Sequence, residues 1–390
     1  MPKVKITFWR VVLVLLLIAG AYATVIRFAR GLGASTNLTD AFPWGLWIGF
    51  DVMCGVMLAA GGFTLTASVY LFNLKKFHSI VRPTVLTAFL GYVLVCVGLL
   101  FDLGRGYRIW HPLVMWNPRS VMFEVAWCVT LYTTVLSLEF GGVLFERFRL
   151  YKLMRLQKLM LIPLVILGVL LSTLHQSSLG SLYLIVPNKL HPFWYSPILP
   201  VLFFLSAICV GLAMTIFESS MSAKHFGKQL ETPIILSLGR TLLVMLCIYT
   251  TVRFQDLFHR DALRLVSKAG WESRLFLLEI LLCSALPIIL LLIPKVRGNP
   301  KGLYLASVLC LLGFVTNRMN VTITGMESAA GQHYFPKWTE ITITLAIIAS
   351  GFFVFAVAVR YLPIFSHEVA PEVIAEPKGV ATEVPELVEP

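Results

Sequence analysis

A chain of 390 residues that is 58% hydrophobic and only 13% charged, with a mean hydropathy of +0.83, is not a soluble globular protein. Its net charge of +12 does not point to nucleic acid, because no soluble segment combines a basic face with interleaved aromatics. In an apolar chain such an excess reflects orientation in the bilayer and contact with anionic membrane lipid.

Apolar runs of membrane length predict an all-α integral membrane protein of about ten transmembrane helices. In chain order they fall near 10–29, 44–73, 83–103, 119–146, 157–175, 197–221, 233–255, 273–294, 302–318 and 339–361. The first follows Lys3, Lys5 and Arg10 and passes through Ala21-Tyr22-Ala23, the outline of a signal peptide. The run is long for that purpose and many spans follow, so a membrane helix over 1–30 is the better reading. The pair Gly61-Gly62 lies inside the second span, where close helix packing is its expected role. The fourth span carries Glu124 and Glu139, 15 positions apart, which is roughly 22 Å along a helix. One acid therefore approaches each side of the membrane, and an isolated carboxylate in a bilayer is costly enough to be rare and usually functional. After a polytopic domain over 31–362, the segment 363–390 changes character. Beyond Ser366 it holds six Glu against one Lys, with Pro371, Pro377, Pro385 and Pro390, as in a disordered acidic cytoplasmic tail.

Loop charge sets the expected topology. With the N-terminus inside, 18 Lys and Arg fall on the cytoplasmic side and 13 outside, with Arg240 inside a helix. The bias favours N-in and C-in, and the cluster Arg147, Arg149, Lys152, Arg155 and Lys158 is its strongest element.

Cysteine and histidine narrow the chemistry. Cys54, Cys96, Cys128, Cys209, Cys247, Cys283 and Cys310 are scattered through apolar helices without the close spacing of an iron–sulfur site, and read as small buried hydrophobes. Of eight histidines, 78, 111, 191, 225, 259 and 333 fall in predicted loops, 367 in the tail, and only His175 at a helix end. A bis-histidine haem needs two facing imidazoles at one depth, so neither haem, cluster nor metal is expected in this chain.

Ionisable groups instead gather toward the outer ends of the predicted helices: Asp51, Asp102, Glu124, His175, Arg253, Asp256, Glu279 and Arg318. Singly, each has an alternative as a structural ion pair, Arg253 with a nearby acid or Arg105 with Asp102. Together they resemble a site for a polar substrate group that an amphipathic ligand reaches from lipid. Nearer the inner end stand Glu139 and Glu218, with Arg240; Glu139 is part of a proton path, or caps packing through a buried hydrogen bond, or pairs with Arg240.

Several segments carry a resemblance. They are DAFPWGLWIGFDVMCGVMLAAGGFTLT (Asp40–Thr66), FDLGRGYRIWHP (Phe101–Pro112), WNPRSVMFEVAW (Trp116–Trp127), LSLEF (Leu136–Phe140), LHQSSLGSLYL (Leu174–Leu184), IFESS (Ile216–Ser220), VRFQDLFHRD (Val252–Asp261) and YFPKWTE (Tyr334–Glu340). Collinear over roughly 25–362, they resemble the NrfD/polysulfide-reductase membrane-subunit family, in its hydrogenase-2 (HybB) branch. The N-terminal helix and the acidic tail lie outside the strongest matches.

The resemblance implies two four-helix bundles with flanking helices in a bacterial inner membrane, and a subunit that is not an enzyme by itself. It implies a quinone, menaquinone or ubiquinone, as substrate. It implies a periplasmic iron–sulfur ferredoxin-like subunit and the small and large subunits of a [NiFe] hydrogenase as partners. Glu124, His175 and Tyr92 (in FLGYVL, Phe89–Leu94) are the positions it carries over as functional. On this reading His175 hydrogen-bonds a quinone carbonyl and Glu124 exchanges protons. Asp51 and Asp102 relay or tune charge, and Arg253 and Arg318 hold acids ionised or stabilise a reduced quinol anion. Glu139, Glu218 and Arg240 would form an inner proton path. Competing readings are a membrane subunit of another oxidoreductase of the family (polysulfide, nitrite or similar), an ion-coupled transporter with helices broken at mid-membrane, and a passive anchor.

Overall fold

A computed structural model describes residues 8–226, 230–268 and 270–364, and in it ten helices are long and apolar enough to cross a membrane. They are α1 (Phe8–Arg30), α2 (Trp47–Leu71), α3 (His78–Asp102), α4 (Val121–Arg147), α5 (Tyr151–Leu184), α6 (Leu199–His225), α7 (Thr232–His259), α8 (Trp271–Leu292), α9 (Pro300–Ala330) and α10 (Trp338–Tyr361). All ten expected spans are present. Lys3, Lys5 and the acidic tail beyond residue 364 lie outside the described residues.

Two boundaries moved for physical reasons. The fifth helix, expected over 157–175, runs from Tyr151 to Leu184. Its serine-rich second half does not end it, because Ser177, Ser178 and Ser181 donate back to the carbonyls of Thr173, Leu174 and Ser177 and stay within the helix. The ninth, expected to stop at 318, continues through a π-helical turn at Asn320–Thr324 and is closed by Gly331 at φ +64°. Further π segments occur at Trp47–Cys54, Ala67–Leu71 and Leu281–Ala285.

Helices α2, α3, α4 and α5 pack as one four-helix bundle, and α6, α7, α8 and α9 as a second. The seam is formed by α5 and α2 on α6 and by α2 on α9. It is tight at Gly211, where a Cβ would lie 2.9 Å from the Gly61 backbone nitrogen, and Gly62 faces Ala88 of α3. The glycine pair thus serves close packing. Helices α1 and α10 pack on each other and on α3, with Gly20 against Ala346. Arg27 of α1 is buried and donates to the carbonyls of Phe101 (2.7 Å) and Leu103 (2.8 Å), fastening α1 to the end of α3. Large apolar side chains such as Ile18, Leu159, Ile289 and Phe352 are exposed on the outside, as a lipid-facing surface requires.

The helix ends define two faces. One carries Asp102, Leu184, His259 and Ala330, the other Leu71, Arg147, His225 and Leu292; they are called the Asp102 face and the Arg147 face.

Candidate functional site

The ionisable residues that look like one layer in sequence separate into three clusters in space. The first lies inside the α2–α5 bundle. His175 is fully buried (0% exposed), and its Nδ1 is 2.9 Å from the Tyr92 hydroxyl of α3. Its Nε2 has no hydrogen-bond partner among the described residues. The Tyr92 ring meets that of Tyr132 edge-on, centroids 4.6 Å apart. Ser172, one turn before His175 on α5, lies beside both tyrosine hydroxyls. Gln176 donates to the carbonyl of Val56 (3.1 Å), while its Oε1, the Tyr132 hydroxyl and the Ser172 hydroxyl lack partners among the described residues. Toward the Arg147 face, Tyr132 and Glu139 line one narrow gap with Phe63, Thr66 and Gly168. The result is a line of polar groups from His175 through Tyr92, Ser172 and Tyr132 to Glu139.

His175 therefore does not close its helix. It sits nine positions inside the end of α5, about 13 Å along the axis, and is reached only through the bundle. Glu124 occupies the first turn of α4, is exposed, and lies beside Cys128. It is eight positions from Tyr132, about 12 Å toward the Asp102 face. Glu124 and His175 belong to one bundle, Glu124 on its exposed surface and His175 in its buried interior.

The second cluster fills the α6–α9 bundle. Glu279, also 0% exposed, accepts from Trp194 Nε1 (2.7 Å), Asn317 Nδ2 (2.7 Å) and Asn320 Nδ2 (2.9 Å), and pairs with Arg253 at 3.4 Å. Arg253 also donates to the Phe193 carbonyl. Arg318 donates to Ser206 (2.6 Å), Asn317 Oδ1 (2.9 Å) and the Phe203 carbonyl, and lies 3.6 Å over the Phe203 ring. Asp256 accepts from Ser196 (2.8 Å) and Arg260 (2.6 Å). For Arg253 the ion-pair alternative is the observed arrangement, with Glu279 as its acid.

The third cluster lies between the bundles and the flanking pair. Asp51, in the π segment of α2, accepts from Thr344 of α10 at 2.7 Å. Asp102 has Arg27 as its neighbouring cation, not Arg105 as expected. Glu340 accepts from the Tyr334 hydroxyl (3.0 Å) and the Lys337 backbone nitrogen (2.7 Å).

At the Arg147 face, Arg240 is exposed on α7 in the second bundle and forms no ion pair with Glu139 among the described residues. Glu218, on α6, stands apart from both. Tyr132, Ser172, Gln176, Asn317, Asn320 and Trp194 were not singled out from sequence. A signal existed for some of them: His175 and Gln176 lie three and four positions after Ser172, and Asn320 three after Asn317, so each set shares a helix face.

Comparison with known proteins gives this geometry a family. A family model described as "Polysulphide reductase, NrfD" matches residues 34–330, which is α2 to α9 and hence both bundles. A protein of Nitratidesulfovibrio vulgaris is 41% identical over 362 residues, 90% of this chain and 92% of that one. The probable Ni/Fe-hydrogenase 2 b-type cytochrome subunit of Escherichia coli is 36% identical over 345 residues, 87% of each chain. The menaquinone reductase integral membrane subunit of N. vulgaris is 31% identical over 378 residues, 90% of this chain and 89% of that one. The second of these names raises haem b, and the donor set does not fit it. His175 is the buried histidine of the first bundle, with Nδ1 engaged by Tyr92, and among the described residues no second imidazole faces it. His191 lies in the loop after α5, packed on Phe193 and Trp194. Two bundles matched end to end, and relatives similar over nearly their whole length, assign the chain to the NrfD family of membrane subunits.

Proposed function

We propose that the chain is the quinone-reactive membrane subunit of a periplasm-facing [NiFe] hydrogenase complex in a bacterial inner membrane. It would pass electrons between a partner iron–sulfur subunit and membrane quinone, with both termini in the cytoplasm and the Asp102 face outward. The observation that carries this reading is His175, deep in the first bundle, fixed at Nδ1 by Tyr92 and free at Nε2. Similarity to subunits named for hydrogenase 2 and for menaquinone reduction supports it.

Reducing a quinone to a quinol takes up two electrons and two protons. The electrons come from the partner's cluster; the protons are this chain's task. If Tyr92 donates to Nδ1, the neutral imidazole keeps its proton on Nε2, where it can donate to a quinone carbonyl. Because His175 is fully buried, a head group reaches it only with movement of surrounding side chains. Glu124, exposed near the outer end of α4, is placed to exchange protons where the head group enters. Ser172, Tyr132 and Glu139 extend the line toward the inner face, the arrangement that uptake of protons from the cytoplasm requires. Asp51 and Asp102 lie off this line and serve as charge relay near the α1–α10 pair. Arg253 and Arg318, engaged in the second bundle, fix its structure rather than touch quinone.

The test uses the intact complex. His175→Ala and Glu124→Gln should each abolish reduction of a quinone analogue by hydrogen while hydrogen oxidation with a soluble dye persists. Retained quinone reduction in both variants overturns the site. Copurification addresses the partner: recovery with a reductase other than hydrogenase would keep the quinone site and replace the hydrogenase assignment, as the menaquinone reductase relative makes reasonable.

A further inference from the structure

Where the two bundles meet at the Arg147 face, a cavity of about 60 Å³ opens between the first turns of α3, the last turns of α6 and the first turn of α7. Ser79, Ser219, Ser222 and Glu231 supply its polar walls, and Glu218 lines it from the membrane side. Glu231 is exposed at the mouth and accepts a 2.7 Å hydrogen bond from Ser79. Both Glu218 carboxylate oxygens are buried without a hydrogen-bond partner among the described residues, and Thr87 of α3, its hydroxyl likewise unpartnered, faces them.

A carboxylate so placed is expensive as a structural residue, since an uncompensated buried charge is destabilising and an apolar side chain would pack there at less cost. The space has room for a few water molecules, each of which needs only about 10–15 Å³ of such volume and two or more polar partners. The gap around Glu139 differs, for it leaves no room for water between Phe63, Val165 and Gly168. Of Glu139 and Glu218, Glu218 is the one with a wettable approach from solution.

We propose that Glu218 is the proton-loading group of the inner half-channel, filled through the cavity beneath Glu231 at the seam of the bundles. The step is a proton transfer alone. A hydronium in the cavity gives its proton to the carboxylate and leaves water, and the resulting acid releases that proton inward past Thr87. The inference rests on the proton-coupled quinone reading above.

The experiment uses the whole complex in proteoliposomes, with hydrogen and a menaquinone analogue as substrates. The probes are a hydrophobic carbodiimide, read by peptide mass spectrometry, and a pH dye inside or outside the vesicle. The wild type should be modified at Glu218, and Glu218→Gln should at least halve the protons taken from the cytoplasmic side per quinone reduced. Glu218→Asp should restore part of that ratio, and Ser222→Leu, which fills the cavity without touching the acid, should lower it. An unmodified Glu218, or a wild-type ratio in Glu218→Gln, overturns the proposal. Should the wild type reduce quinone with no uptake from the cytoplasmic side, the coupling itself is wrong, and the labelling alone decides whether protons reach Glu218.

Discussion

In the α6–α9 bundle Glu279 is wholly buried and receives four side-chain donors, from Trp194, Asn317, Asn320 and Arg253. In the α2–α5 bundle His175 is buried as deeply and has one partner, while among the described residues its other nitrogen, the Tyr132 hydroxyl and the Ser172 hydroxyl have none. A carboxylate has about four acceptor sites, so Glu279 has no capacity left for a ligand. A saturated carboxylate holds one arrangement; an unsaturated polar group is where an incoming group or a moving proton finds a partner. On the function proposed above, the difference divides labour between two clusters: the Glu279 network is rigid support, and the His175 line is where quinone chemistry takes place.

The largest effect should follow from breaking the saturated side. Glu279→Ala leaves Arg253 buried without its acid and strips Trp194, Asn317 and Asn320 of their acceptor. Removing one member of a buried pair typically destabilises by about 3–5 kcal/mol. The complex should lose several degrees of thermal stability in detergent and assemble poorly, with dye-linked and quinone-linked activities falling together. A well-assembled variant with selective loss of quinone reduction would move the reactive centre into the second bundle.

Tyr92→Phe probes the unsaturated side with a smaller structural change. It deletes one hydroxyl, worth about 1 kcal/mol in a typical hydrogen bond, and leaves the ring stacked edge-on against Tyr132. Thermal stability should barely move. Quinone turnover should drop on the order of 10²-fold, the lower range for a group that sets up proton transfer, with the apparent KM for quinone little changed and hydrogen oxidation by dye intact. A parallel fall in stability and all activities would make Tyr92 a packing residue.

How far each side was legible follows from its geometry. Ten spans are visible in composition because a bilayer demands continuous apolar length. Glu124, Glu139 and His175 stand out because charge is rare there. Their grouping is not visible, since depth along a helix says nothing about which face a residue occupies or which helix it meets. His175 reads as a helix end because Ser177, Ser178 and Ser181 follow it and resemble a terminus, whereas in apolar surroundings those three hydroxyls satisfy themselves on the preceding turn. The π segments were equally hidden. One carries Asp51, one follows Glu279 directly and one brings Asn320 to it, so the irregular backbone coincides with buried polar clusters.

A milder perturbation by pH should loosen the connection of the second bundle at the Asp102 face while sparing the first. The loop between α5 and α6 carries His191, whose backbone nitrogen donates to the Gly325 carbonyl at 2.7 Å and whose ring packs on Phe193 and Trp194. Burial holds this imidazole below its ordinary value, with Glu272 opposing the shift in part. The folded loop therefore binds fewer protons than the open one as pH falls below the ordinary imidazole range near 6.5, and acid favours opening. The loss grows as pH falls toward the lowered folded value and is absent well above 6.5. Hydrogen exchange at the Phe193 and Trp194 amides should quicken between pH 7.5 and 5.5, after correction for intrinsic rates, and His191→Gln should flatten that dependence. Amides around Tyr132 and Ser172 should show no matching change. Equal loosening of both regions would mean that the bundles respond as one body, and the contrast between the Glu279 network and the His175 line would fail at the Asp102 face.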